Sequence, residues 1–530
     1  MVRGLRHFLR LVSAARVMAR HDALFELDLA KDNLPPVALA LRPLAKLRLP
    51  FERKVETSGD MAERLSAALA ELGPSYIKLG QFLATRPDMI GPELAGDLGS
   101  LRDQLPPFEQ EEAIRIIEDQ LGAPIDTLYE SFSEPIAAAS IAQVHKATLK
   151  NEDGGTRDVA VKVLRPDVEA RFQRDLDAFF WAAEKLETLV PETRRLRPRA
   201  GVETLANSVE LEMDLRLEAA AMSEMAENTA DDPGFRVPEV EWNRTARHVL
   251  TLEWIDAVPA SDVEALKAAG HDMKRLGNRV IQNFLLHATR DGFFHADMHQ
   301  GNLFVDGEGT LIPVDFGIMG RLDERSRRFL AEILYGFVKR DYQRVAEVHF
   351  EAGYVPPHKD VATFAQALRS IGEPIFGKEA KDVSMGKLLA QLFLVTEQFD
   401  MAMRPELILL QKTMVVVEGV ARSFDPEHNI WEASEPILAD WMMRRIGPEA
   451  RLQEAADGAM ALGRSLSQLP ELLARAERTL DAAGNPEGMR LHPESLKAIR
   501  EAETEGGRGT RAALWLGALS LLGLLLLQIF

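Results

Sequence analysis

Residues 292–317, GFFHADMHQGNLFVDGEGTLIPVDFG, set His, Asp, Asn and a second Asp among Phe, Leu, Val and Ile. The apolar runs read as short buried strands, and the polar residues fall at their ends and in the tight loops between them. Buried polar groups need partners. Hard divalent cations take oxygen ligands, and strand ends and tight loops hold such ligands rigidly. The rest of the chain decides which cation such ligands would hold, and for what.

A chain of 530 residues is too long for one core, and its 46% hydrophobic content leaves ample apolar surface for two or three domains. The formal net charge of -19 is spread along the chain rather than gathered in a tail, which argues against nucleic acid as a partner. Cysteine is absent, which excludes disulfides and thiolate metal sites.

The two ends depart from this texture. MVRGLRHFLRLVSAARVMAR carries five Arg and no acid, with Leu5, Phe8, Leu9 and Val12 on one helical face. Such a helix suits an anionic membrane surface or a partner groove, and equally docking on the protein's own core. A mitochondrial transit peptide has the same look. At the other end, AALWLGALSLLGLLLLQIF, residues 512–530, is nineteen residues without a charge. That length spans a hydrocarbon core of roughly 30 Å, so the sequence predicts a C-terminal transmembrane anchor. Arg508 and Arg511 precede it, and the positive-inside rule then places the body on the cytoplasmic side of the inner membrane, held by a single C-terminal span.

Residues 31–60 read as a proline-punctuated connector, and 60–125 as helical with Gly and Pro interruptions. LYESFSEPIAAASIAQVHKATLK, NEDGG and RDVAVKVL read as strand, small-residue loop, strand, turn and strand. Residues 166–230 are predicted helical, FRVPEVEWNRTARHVLTLEWIDAVP returns to strand pairs, and helices dominate from 261 to 445. Residues 446–511 read as an amphipathic tail and Gly-rich linker. No internal repeat is evident.

Phosphoryl transfer needs a cation held by a carboxylate and an amide, a Lys on the phosphates and an acid to hold that Lys. VAVKVL supplies Lys162 on a strand; ELEMDLRLEAA supplies Glu218 on the helical face of Leu211 and Leu215; HADMHQGN supplies Asp297 and, five residues on, Asn302; VDFG supplies Asp315. These match the order of a small antiparallel sheet followed by a helical body in the protein-kinase fold, and the spacing of its catalytic loop and metal-binding triplet.

Two departures carry further information. Ala137, Ala138, Ala139 and Ser140 stand where a Gly-rich loop should cover the phosphates, and Ala restricts the backbone more than Gly does. YIKLGQ places Lys78, Gly80 and Gln81 ahead of the whole kinase-like region. The Lys-x-Gly-Gln segment, the Ala-rich loop, the Glu-x-Asp pair at Glu212 and Asp214, and the His-x-Asp to Asp-Phe-Gly block together resemble the UbiB/ADCK family of atypical kinase-like proteins. The resemblance covers about residues 60–430.

What the resemblance implies is an α+β, protein-kinase-like bilobal fold with an N-terminal helical extension, completed by the C-terminal transmembrane helix. The expected parts are a basic helix and connector (1–59), the helical extension (60–128), an N-lobe (129–257), a C-lobe (258–445), the tail (446–511) and the anchor (512–530). In the family's pattern Lys78 and Gln81 sit near the nucleotide, and Lys78 pairs with the Glu-x-Asp acids, Glu212 first. Lys162 holds the ATP phosphates and is held by Glu218, with Ala137 to Ser140 over the nucleotide. Asn302 and Asp315 bind Mg²⁺, Asp297 is the catalytic-loop carboxylate, and Glu253 to Ile255 form the hinge that holds adenine.

Some positions depart from the family pattern. Gln300 replaces the usual Pro of the catalytic loop, which relaxes the turn without removing a ligand. His-Ala-Asp lacks the Arg that reads activation-loop phosphorylation, and no Ala-Pro-Glu follows. His295 and His299 are taken as structural rather than zinc ligands. The resemblance implies a membrane-anchored atypical kinase or ATPase that binds Mg-ATP and supports ubiquinone biosynthesis. Its expected partners are membrane lipids, polyprenyl-phenol intermediates and ubiquinone-biosynthesis enzymes. Two rival readings are a true protein or small-molecule phosphotransferase and a noncatalytic, nucleotide-gated lipid-binding scaffold.

Overall fold

The N-terminal sheet follows directly from alternation along its strands. In a computed structural model of the chain, β1 (Ser131–Ala138), β2 (Ala142–Lys150), β3 (Thr156–Leu164) and β4 (Val249–Glu253) form an antiparallel sheet in the order β1-β2-β3-β4. On β3, Val159, Val161 and Val163 are buried on one face, so Ala160 and Lys162 point to the other. The helix Gln110–Leu121 covers the valine face with Ala113 and Ile117. The structure describes residues 2–21, 61–84, 105–150, 154–189, 197–376 and 405–446, with isolated positions 23, 90, 98, 391, 395 and 398–401.

Among these residues the principal helices are α1 (Val2–Arg20), α2 (Met61–Leu72), α3 (Pro74–Ala84), α4 (Gln110–Leu121), α5 (Val168–Leu189), α6 (Pro198–Glu212) and α7 (Leu215–Asn228). They continue with α8 (Met273–Leu286), α9 (Glu324–Lys339), α10 (Tyr342–Glu351), α11 (Val361–Phe376), α12 (Pro405–Phe424) and α13 (Ile430–Ile446). Three short pairings thread through the helical part: β5 (Val258–Pro259) with β7 (Leu303–Val305), β7 with β8 (Leu311–Pro313), and β6 (Phe293–His295) with β9 (Met319–Arg321). The chain divides into two units, Met1–Met443 and Arg444–Phe530, and nearly all described residues lie in the first.

Helix α1 docks on the protein's own core. Leu11, Ala14 and Met18 join the main apolar cluster, Arg10 pairs with Asp175 at 2.5 Å, and Arg20 pairs with Glu71. Leu5 and Leu9 remain 59% and 56% exposed, so the face that holds them is not the one buried.

Several expectations are corrected. Among the described residues no helix is long and apolar enough to cross a membrane. That finding overturns the transmembrane helix as part of the fold, and with it the inner-membrane location by a single C-terminal span. Residues 512–530, on which both rested, lie outside the described residues, as do the connector and the tail beyond 446. The run from Phe235 to His248 makes only isolated bridges, Phe235 with Leu311, Val240 with Leu252 and Ala246 with Val249, before β4 begins. Pro238 has no N–H to give to a ladder. The predicted single helix through Leu211 and Leu215 is broken: α6 stops at Glu212, and Asp214 caps α7 by accepting the Arg216 amide at 3.1 Å. Leu211 is consequently 61% exposed and does not share a face with Glu218.

Candidate active site

Lys162 is the centre of the charged cluster. Its amine lies 2.8 and 2.9 Å from the two Glu218 carboxylate oxygens and 3.3 Å from Asp315 Oδ1. Glu218 reaches it from the first turn of α7, on the inward face shared by Leu215, Ala219 and Met222. Its Oε1 also accepts the Phe316 amide at 3.2 Å, which ties the helix to the segment after Asp315.

Burial acts against charge on all three groups, and the pairing decides the outcome. Burial disfavours the Lys162 ammonium, yet the Asp315 and Glu218 carboxylates outweigh it and raise its pKa. Burial also works against the Asp315 carboxylate, but Lys162, the Gly317 amide at 3.0 Å, His295 and Lys78 together hold its pKa well below the usual range. Glu218 goes the other way: burial, reinforced by Asp315 and opposed by Lys162, pushes it up to about 7. Lys162 and Asp315 thus keep their charges, and Lys162 offsets only part of the burial acting on Glu218.

The β7–β8 hairpin explains how Asn302 comes beside this cluster. Leu303 pairs with Pro313, and the Val314 amide donates to the Asn302 carbonyl at 3.0 Å. Asn302 and Asp315 therefore leave the same end of one hairpin. Asn302 Nδ2 donates to the Asp297 carbonyl at 3.4 Å, leaving Oδ1 as its acceptor. Asp297 stands in the loop between β6 and β7, and the β6–β9 pairing of His295 with Met319 keeps that loop against the Asp315 segment. His295 Nδ1 accepts the Asp297 amide at 3.1 Å and His299 Nδ1 accepts the Gly301 amide at 3.0 Å, so both histidines serve the shape of the loop.

The donor set fits a hard divalent cation: one carboxylate kept ionised and one amide oxygen. Among the described residues no group of three or more His, Asp or Glu is arranged to hold a metal ion. A cation held by Asp315 and Asn302 would complete its shell with phosphate oxygens and water. When bound beside a nucleotide, it offsets the charge on the phosphates.

The Lys-x-Gly-Gln helix enters the same region. Lys78 on α3 pairs with Glu212 at the end of α6, 2.5 Å apart. Gln81 follows on α3, half-buried. The two Glu-x-Asp acids part company: Glu212 takes Lys78, while Asp214 caps α7 and takes the Arg216 guanidinium at 2.8 and 2.6 Å. Gly73, at φ +99°, makes the turn into α3 where a Cβ would come within 2.4 Å of the Arg171 guanidinium.

The Ala-rich loop is held by groups that no sequence motif signals. The Ala139 amide donates to the Ala142 carbonyl at 2.8 Å, and Arg165, just after β3, donates to the Ala139 carbonyl at 3.1 and 2.8 Å. Ala137 and Ala138 pair with Val144 and Gln143 on β2, and Ser140 is fully buried. Gln143, also buried, takes the Phe108 amide at 2.9 Å and donates to its carbonyl at 3.2 Å. At the expected hinge, the Glu253 and Trp254 amides are committed to the Glu239 and Asp158 carbonyls, and the Glu253 carboxylate to Arg236.

Comparison with known proteins gives these groups a context. A family model described as the ABC1 atypical kinase-like domain matches residues 100–349, and one described as the UbiB helical domain matches 368–429. A curated protein of Marinobacter nauticus named "Probable protein kinase UbiB" is 38% identical over 448 residues, 84% of this chain and 81% of its own. Proteins of the same name from Shewanella denitrificans and Aeromonas salmonicida are 39% and 40% identical, covering 86% and 83% of this chain and 82% of each relative. A solved structure described as the complex structure of Rv3197-erythromycin from Mycobacterium tuberculosis is 24% identical, covering 71% of this chain and 95% of that one at a TM-score of 0.47. Sheet, charged cluster and catalytic loop all fall within the matched kinase-like domain, and the chain belongs to the UbiB family of atypical kinase-like proteins.

Proposed function

We propose that the protein binds Mg-ATP at the Lys162 cluster and uses it in phosphoryl transfer or hydrolysis that supports ubiquinone biosynthesis. The observation that carries this reading is the position of Lys162 between Glu218 and Asp315, with Asn302 brought alongside by the β7–β8 hairpin. In this reading Lys162 meets the nucleotide phosphates and Glu218 orients it. Asp315 and Asn302 are the cation ligands, and Asp297 receives the proton of the attacking hydroxyl or water. The Ala137–Ser140 turn closes over the nucleotide, and the segment from Glu253 to Ile255 holds its base.

The curated relatives are named probable protein kinases, and family membership supports ubiquinone biosynthesis as the setting. Polyprenyl-phenol intermediates, or the enzymes that process them, are the acceptors or clients that this setting suggests. The test is ATP turnover by the purified full chain, following free phosphate and labelled product separately, together with restoration of ubiquinone synthesis in a deficient strain. Turnover and restoration by the wild type, both lost in Lys162→Met, support the reading. A labelled product in place of free phosphate selects phosphotransfer over hydrolysis. Restoration by Lys162→Met at the wild-type level would contradict it.

A further inference from the structure

The catalytic loop, Ala296 to Asn302, contains no Lys or Arg. Phosphoryl transfer places negative charge beside the catalytic-loop carboxylate, and preorganised cations there lower the barrier. Lys162 is committed to the Asp315 side of the cluster. The Asp297 side needs a cation from elsewhere, and α12 delivers one: Lys412 Nζ lies 3.8 Å from Asp297 Oδ1.

The placement of Lys412 is enforced by its neighbours. Thr413 is fully buried, and its hydroxyl lies 3.0 Å from the carbonyl of Ala296, the residue before Asp297, and 2.8 Å from the Leu409 carbonyl. Val417, Val420 and Ala421 continue the buried face of α12 into the core that also holds Val280, Ile281 and Phe284 of α8. The two helices approach closely at Gly277, where a Cβ would stand 3.1 Å from the Ala421 carbonyl. The backbone at Lys412 is thus fixed to the catalytic loop, while the side chain keeps 37% of its surface exposed.

The contact itself is a partly exposed ion pair. At 3.8 Å the contact is longer than a hydrogen bond, so it contributes little to stability. The other carboxylate oxygen has a similar neighbour, His299 Nε2 at 3.9 Å from Oδ2. Since His299 Nδ1 accepts the Gly301 amide, the neutral ring carries its proton on the nitrogen facing Asp297. Asp297 is flanked by two donors, neither of them bonded to it, an arrangement that leaves its oxygens accessible to a substrate proton.

We propose that Lys412 binds the terminal phosphate of the nucleotide at the catalytic loop, which makes the helical region 368–429 a contributor to the active site. The inference rests on the phosphoryl-transfer reading above. The bond from the attacking oxygen to the γ-phosphorus forms as the bond from that phosphorus to the β–γ bridging oxygen breaks. The electron pair of the broken bond leaves with ADP, and the proton of the attacking hydroxyl or water passes to Asp297. Lys412 keeps its proton throughout and neutralises charge on the group in transfer.

The experiment compares wild type, Lys412→Ala, Lys412→Gln and Lys412→Arg in the full chain, by steady-state ATP turnover and by thermal-shift titration with Mg-ATP and Mg-ADP. The expected result for Ala and Gln is a kcat lower by on the order of 100-fold with an unchanged melting temperature, and partial recovery in Arg. The preference for Mg-ATP over Mg-ADP should narrow in Ala and Gln, a change that a merely structural lysine would not produce. A kcat within about twofold of wild type with an unchanged nucleotide preference overturns the role of Lys412. If wild type binds but does not turn over, the nucleotide preference alone decides. Failure of the wild type to bind Mg-ATP at all overturns the phosphoryl-transfer reading itself, and the role of Lys412 falls with it.

Discussion

Lys78 and Glu212 form a buried ion pair 2.5 Å long, with side chains only 10% and 9% exposed. The pair joins the Lys-x-Gly-Gln helix to the end of α6, and the Lys78 charge is felt at Asp315. Removing one partner of a buried pair strands the other, which costs about 3–5 kcal/mol. Lys78→Ala should therefore lose stability on that scale in urea denaturation, and Lys78→Met combined with Glu212→Gln should regain most of it. Equal stability of wild type and Lys78→Ala would show that the pair is solvated and α3 merely packed.

Gly320 tests how tightly the strands behind the catalytic loop are packed. It pairs with Phe294 across β6 and β9, and a Cβ there would come within 2.1 Å of the Phe294 ring. That ring is fully buried and stands edge-on to Phe284, 5.6 Å between centroids, so it has no room to retreat. Gly320→Ala should cost about 1–3 kcal/mol by overpacking, read from the denaturation midpoint. An unchanged midpoint would mean that the strands open at little cost.

His349 provides a pH dependence separate from the active site. Burial lowers its pKa from 6.5 to about 4, only partly offset by the hydrogen bond from Nδ1 to the Val345 carbonyl at 2.7 Å. The unfolded chain takes up the proton more readily than the folded one. Stability is therefore intact above pH 6.5 and falls as pH drops towards 4, by about 3 kcal/mol in total. Urea denaturation at pH 7 and pH 4.5 should show a smaller loss for His349→Gln than for wild type, and equal losses would remove His349 as the cause.

The parts legible in the sequence are those fixed by local pattern. Alternation around VAVKVL placed Lys162 on a strand, and the apolar runs around Asp297 and Asn302 read as the short strands they form. The helix break at Met213 was hidden because apolar spacing continues through Leu211 and Leu215, whereas the Asp214 cap decides the geometry. The run from Phe235 to His248 looked like a strand for want of any sign that its partners were single bridges. Arg165 and Lys412 act through contacts between segments far apart in sequence, and neither sits in a motif. The uncharged C-terminal run is a compositional signal, and among the described residues no helix is long and apolar enough to cross a membrane.

The most direct test is calorimetric titration of the full chain with ATP, with and without Mg²⁺, for wild type and Asp315→Asn. Asp315 carries the ionised carboxylate of the proposed cation site, and the substitution removes its charge while keeping its shape. The account predicts saturable Mg-ATP binding by the wild type, weakened by at least about tenfold when Mg²⁺ is chelated or when Asp315 is replaced. Mg-ATP binding of equal strength in wild type and Asp315→Asn, indifferent to chelation, would contradict it.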